Sequence, residues 1–170
     1  MTKNPAASPA ARSLREYAWR VLAPREFAIN VLINGLIAWW VYSHADRVTL
    51  LGWSSVLVMC GPISFILPTL TTFFGRMNGV VARGRRKAGL PWPENGRWQA
   101  MAWVAGLGNS AIVGPAAVMI LLLLDYILPG LTLAKWTAIA LVACYSGLLG
   151  FVLHGRAVLQ VERLHAQGLR

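Results

Sequence analysis

Long apolar runs without a single Asp, Glu, Lys or Arg alternate with short polar and basic segments along this chain, and four such runs cover 27–43, 50–75, 101–124 and 136–153. A hydrocarbon layer of about 30 Å is crossed by about 20 residues of helix. The second and third runs are long enough alone, while the first and last need their flanking residues. Period-2 alternation is missing, and an open strand would leave backbone groups unpaired in lipid. The pattern therefore predicts an all-α polytopic membrane protein with four transmembrane helices.

Ahead of the first run, Leu14, Tyr17, Ala18, Val21 and Leu22 fall at helical spacing, with Arg12, Arg15, Glu16 and Arg20 on the other side. This predicts a short N-terminal amphipathic interfacial helix over 13–23, separated from the first span by Pro24, where a fresh helix can begin. An Arg-rich amphipathic start also fits an organellar transit peptide. Residues 1–12, rich in Pro, Ala and Ser, are expected to be a disordered tail. The first 25 residues hold no apolar core of a cleavable signal, so the first span is expected to serve as its own insertion signal.

The pattern repeats. Asn30, Ile33 and Gly35 in the first run match Asn109, Ile112 and Gly114 in the third; Thr49, Leu50 and Trp53 match Thr132, Leu133 and Trp136; Gly75-Arg76 matches Gly155-Arg156. Three short matches in one order predict two duplicated parallel hairpins, related by an axis along the membrane normal. The expected divisions are a first hairpin over 24–75, a basic loop over 76–100, a second hairpin over 101–155 and a tail over 156–170.

Composition supports this frame and charge orients it. The chain is 56% hydrophobic and 13% charged, outside the balance of a water-soluble domain. Of its 16 Lys and Arg, only Arg47 and Lys135 lie in the two short connections; the others flank the spans on the opposite side. By the positive-inside rule both termini and the middle loop are expected to be cytoplasmic, in a bacterial inner membrane. Trp39, Trp40, Tyr42, Trp53, Tyr126 and Trp136 then fall near the outer interface, and Trp19, Trp92, Trp98 and Trp103 near the inner one. The run Arg83, Arg85, Arg86 and Lys87 suits anionic headgroups or an acidic partner, and Pro91-Trp92-Pro93 suits an interfacial anchor. Nucleic-acid binding is not expected, because no base-reading or stacking module accompanies the charge.

Candidate chemistry is sparse. Asn30 and Asn34 share one face of the first helix, and a carboxamide in hydrocarbon needs a partner. Asn109 matches Asn30, and a pseudo-twofold bundle is expected to bring the two together. Asn30, Asn34, Asn109 and Ser110 are thus the candidate polar packing or pathway residues. Pro62, Pro68 and Pro115 are expected to kink their helices, freeing carbonyls for Ser64, Thr69, Thr71 or Thr72. Gly106, Ser110 and Gly114, with Ala143, Ser146, Gly147 and Gly150, form small-residue stripes for close packing. Cys60 and Cys144 read as packing residues, and His44, His154 and His165 are expected outside the spans, so neither a metal site nor a haem is expected. No serine or threonine has an evident activating base, so no catalytic residue and no cofactor are expected.

Two functions remain from the sequence. One is a non-catalytic accessory, scaffold or assembly component that meets a membrane-protein partner. The other is a small-solute transporter or channel acting as a homodimer or larger homo-oligomer, with Asn30, Asn34, Asn109 and Ser110 along its path. The lack of charge inside the predicted spans favours the first.

Overall fold

The computed structural model describes residues 14–86 and 97–166. The expected tail over 1–12, Lys87 and the Pro91-Trp92-Pro93 unit lie outside the described residues. In chain order the elements are α1 (Leu14–Tyr17), a π-helical turn (Ala18–Leu22), α2 (Ala23–Val41), β1 (Arg47–Thr49), α3 (Val56–Arg86), α4 (Arg97–Ile127), β2 (Thr132–Ala134) and α5 (Lys135–Ala166). Four helical stretches are long and apolar enough to cross a membrane: Arg15–Val41, Val56–Val81, Gln99–Ile127 and Lys135–Val161. The chain is mostly helical, and these four stretches suit a multi-pass membrane protein.

The helices run further than the apolar runs alone. Hydrogen-bonded backbone continues after the side chains turn polar, so α3 extends through the basic stretch to Arg86 and α5 passes His154 to end at Ala166. At about 1.5 Å per residue such helices overrun a hydrocarbon layer of about 30 Å. Arg76 and His154, expected just outside the spans, therefore lie within helices and are buried.

Pro24 does not break the chain as expected. The residues flanking the π turn stay in right-handed helical conformation, and Ala23 N–H donates to the Ala18 carbonyl, five residues back. A proline cannot donate to the carbonyl four residues back and crowds it. The wider turn just ahead of Pro24 changes that spacing, so α1, the π turn and α2 form one continuous helical stretch. Ala18 and Leu22 bury against Val158 of α5.

The helices pack in the spatial order α2, α5, α3, α4. The apolar window of α3 is 56% buried and that of α5 is 39% buried, against 22% for the first stretch and 17% for α4. Helices α3 and α5 are accordingly the inner pair, and the outer two turn Leu32, Leu36, Trp40, Val104, Ile112 and Met119 away from the protein. In lipid such exposure costs nothing, because the tails are as apolar as leucine; packing, polar ties and close backbone approach hold the helices together instead.

At one end β1 and β2 join antiparallel, with Arg47 opposite Ala134, Val48 opposite Leu133 and Thr49 opposite Thr132. Beneath this ribbon Tyr42 is fully buried and its hydroxyl donates to the Ser55 carbonyl at 2.9 Å. Ser55 Oγ accepts from Val58 N–H at 3.4 Å, capping the start of α3. Val48, Leu50, Val56, Met59, Cys60 and Val142 complete the cluster. Cys144, expected like Cys60 to be a packing residue, is exposed.

Two glycines of α4 separate contact from open surface. A methyl group on Gly106 would lie 2.7 Å from the Thr69 carbonyl oxygen and 2.9 Å from Thr69 Cα, whereas one on Gly108 meets nothing within 4 Å. Gly106→Ala is expected to destabilise the protein by about 1–3 kcal/mol by pushing α4 off α3. Gly108→Ala is expected to be neutral or stabilising by up to about 1 kcal/mol. Reversible unfolding in mixed micelles checks both.

Candidate functional site

The polar side chains inside the bundle form a seam between α2 and α5, a seam between α3 and α4, a tie between α3 and α5, and a cluster at the end carrying α1. Where α2 meets α5, Asn30 is buried and its Nδ2 donates to the Glu26 carbonyl at 2.8 Å. Asn34 Nδ2 donates to the Asn30 carbonyl at 3.1 Å, and Ser146 Oγ lies 3.2 Å from the same carbonyl and 2.9 Å from that of Ala143, so its hydrogen is shared between the two. The small stripe of α5 makes room for this. A methyl group on Gly150 would lie 2.5 Å from Asn30 Nδ2, and one on Gly147 would strike Val31 and Phe27.

Where α3 meets α4, Asn109 Nδ2 donates to Thr72 Oγ1 at 2.8 Å. Ser110 Oγ donates to the Phe65 carbonyl at 2.5 Å, so its only hydrogen is used there and Thr69 Oγ1, 2.6 Å away, is the donor between the two hydroxyls. Gly114 leaves room for the Phe65 ring. By the same count Ser64 donates to the Cys60 carbonyl at 2.5 Å and receives Tyr145 O–H at 2.6 Å, tying α3 to α5.

Asn30 and Asn109 are not brought together. Each occupies its own seam, on opposite sides of the α3–α5 pair, because each outer helix packs on an inner helix. The hydroxyls also choose carbonyls other than those expected. Pro62 and Pro68 free the carbonyls of Val58 and Ser64, yet Ser64 and Thr71 donate to Cys60 and Leu67, and Thr69, which donates to Ser110, has the Phe65 carbonyl 3.4 Å away. A hydroxyl reaches the carbonyl one turn before itself most easily, and neither freed carbonyl is one turn before any of these three residues. Pro68 is buried, while Pro62 and Pro115 lie on the surface. Arg83, Arg85 and Arg86 end α3; their side chains, like Lys87, lie outside the described residues.

The end cluster joins α2, α3 and α5. His154 is fully buried; its Nε2 contacts Asn78 Nδ2 at 3.2 Å, and its Nδ1 stands 3.7 Å from Glu26 Oε1 with no hydrogen-bond partner. Beside it Arg76, 9% exposed, donates from Nε and Nη2 to Gln160 Oε1 at 3.1 and 2.8 Å, and from Nη1 to the Met101 carbonyl at 2.8 Å. Trp19 of the π turn packs over Gly155 and lies 5.4 Å from the Phe151 ring. Charged and imidazole groups at such a junction are expensive to bury and mark functional positions.

Sequence reasoning passed over this cluster, although a signal for it was present. Glu26, Asn30 and Asn34 recur every four residues, as do Ser146, Gly150 and His154. Two complementary faces at one spacing meet in the antiparallel α2–α5 contact. Placing Glu26 and His154 beyond the apolar runs hid the end member of each. Among the described residues no group of three or more His, Cys, Asp or Glu is placed to hold a metal ion. Comparison with protein-family models, with curated proteins and with solved structures finds no match for this chain.

Tyr145→Phe, which removes one donor and leaves Ser64 bonded to Cys60, is expected to cost about 1 kcal/mol. Asn109→Leu is expected to cost about 0.6–2 kcal/mol, the range of an interhelical polar contact in a bundle of this kind. The additive double variant, measured by the same unfolding assay, checks that the two ties act independently.

Proposed function

We propose that this chain is a non-catalytic membrane component, an accessory, scaffold or assembly subunit of a larger membrane complex. The observation that carries the reading is the internal use of the candidate polar residues: Asn30, Asn34, Asn109 and Ser110 all spend hydrogen bonds on neighbouring backbone or on the adjoining helix. Asn109 and Ser110 tie α4 to α3, while Asn30 and Asn34 are satisfied within α2; a solute path would need such groups free to exchange partners. The broad apolar faces of α2 and α4 are left for lipid or for partner helices.

The finer organisation belongs to the same proposal. A duplication into two parallel hairpins accounts for the Thr49–Thr132 pairing, since these residues are counterparts in the repeat and lie opposite one another, as a twofold axis through the ribbon requires. It also accounts for the parallel register of α3 and α5, in which Gly75 packs against His154 and Ala157, next to its own counterpart Gly155. The basic residues flanking the spans favour both termini on the cytoplasmic side of a bacterial inner membrane, with anionic headgroups as neighbours. Segment 13–23 then turns Arg15 and Arg20, both exposed, toward those headgroups. Trp53 and Tyr126, 96% and 84% exposed, would sit at the opposite interface.

A homo-oligomeric small-solute transporter is the second reading, and one observation favours it. Glu26, Arg76 and His154 lie within helices rather than beyond them, against the sequence argument that the spans carry no charge. Mass measurement of the purified protein, with its co-purifying chains, separates the two. Stoichiometric capture in a larger assembly is expected; a lone homo-oligomer that leaks solute from liposomes, and stops leaking in folded Asn30→Leu and Asn109→Leu variants, would replace the first reading with the second. A reporter fused after residue 170 is expected to read cytoplasmic, and one inserted at Gly130 to read external.

A further inference from the structure

Among the described residues one buried side-chain nitrogen has no hydrogen-bond partner, and it lies in the end cluster. His154 Nδ1 is buried without a hydrogen-bond partner, facing a carboxylate oxygen 3.7 Å away. We propose that His154 and Glu26 form a proton-binding site, taking one proton from the aqueous face at this end of the bundle and holding it as an imidazolium–carboxylate pair.

The two side chains are unequally open to water: that of Glu26 is 21% exposed and that of His154 is 0% exposed. Glu26 is therefore the point of entry and His154 the store. In the ring form that receives the proton, Nε2–H donates to Asn78 Oδ1 and Nδ1 carries a lone pair toward Glu26. The proton leaves the Glu26 carboxyl oxygen and lands on that lone pair, leaving a carboxylate against an imidazolium. The pair thereby passes from one net negative charge to none, which a poorly solvated junction favours. A carboxamide offers nitrogen and oxygen from near-identical positions, so the 3.2 Å contact with Asn78 serves a ring lone pair or a ring N–H after a half-turn of the amide.

Arg25, next to Glu26 on α2, carries the same sign of charge as an imidazolium. On α3, Arg76 is already committed to Gln160 and Met101. On α5, Arg156 is exposed, and ahead of α2 Arg20 pairs with Glu16. Among the described residues Glu26 is thus the carboxylate within reach of His154. The π turn adds an independent sign, since such turns recur at functional sites, and this one sets Trp19 over Gly155, next to His154.

The inference does not rest on the component or the transporter reading. Its test is ring-nitrogen NMR of the full chain in nanodiscs, with His154 assigned by loss of its signals in His154→Gln and followed from about pH 4 to pH 8, the range in which histidine can titrate. One reversible protonation of His154 is expected in that window. Glu26→Gln, which keeps the shape and removes the counter-charge, is expected to weaken proton affinity about tenfold or more; Asn78→Asp, which adds a carboxylate, is expected to strengthen it by a similar factor. A His154 that stays neutral throughout, or a midpoint unmoved in either folded variant, would overturn the proposal. Should Glu26→Gln fail to fold, Asn78→Asp decides alone.

Discussion

Close approach of α3 and α5 is the constraint on which the rest of the bundle depends. A methyl group on Gly75 would lie 2.7 Å from Ala157 Cβ and 3.0 Å from the His154 carbonyl; one on Gly79 would lie 3.0 Å from the Val158 carbonyl. Backbone meets backbone there because neither glycine carries a side chain. That contact brings Arg76 within reach of Gln160 and Asn78 within reach of His154. Side chains of ordinary size at 75 and 79 would separate the helices and strand these polar groups in an apolar medium.

Outside that contact, energy and specificity come from different residues. Apolar side chains such as Leu32 and Met119 gain almost nothing by leaving lipid for protein, so they do not select a neighbour. The polar groups do select, because each must be satisfied. Asn30 finds its seam where Gly150 and Ser146 admit it, and Asn109 finds Thr72. The ribbon of β1 and β2 closes the far end over Tyr42, whose hydroxyl is spent on Ser55.

At the near end the balance is different. Arg76 is paid in neutral acceptors only, the Gln160 carboxamide and a backbone carbonyl. His154 keeps one atom unbonded opposite Glu26. This end holds the one buried side-chain atom without a hydrogen-bond partner among the described residues, and structures tend to break their own rules where they do something. A proton is the smallest ligand that would complete it, which joins the physical anomaly to a chemical role.

Much of the fold was legible in the residue pattern because hydrocarbon imposes two hard demands, a span of about 20 residues and internal pairing of every backbone group. Those demands identify four helices, and helical spacing identifies the faces of Asn30, Ser110 and Gly150. Spacing cannot say which face meets which, because leucine-rich surfaces are interchangeable in lipid. The packing of α2 on α5, the separation of Asn30 from Asn109 and the burial of His154 beside Glu26 are therefore decided only in three dimensions. There, side chains distant in sequence, Glu26 and His154 or Arg76 and Gln160, come within reach of one another.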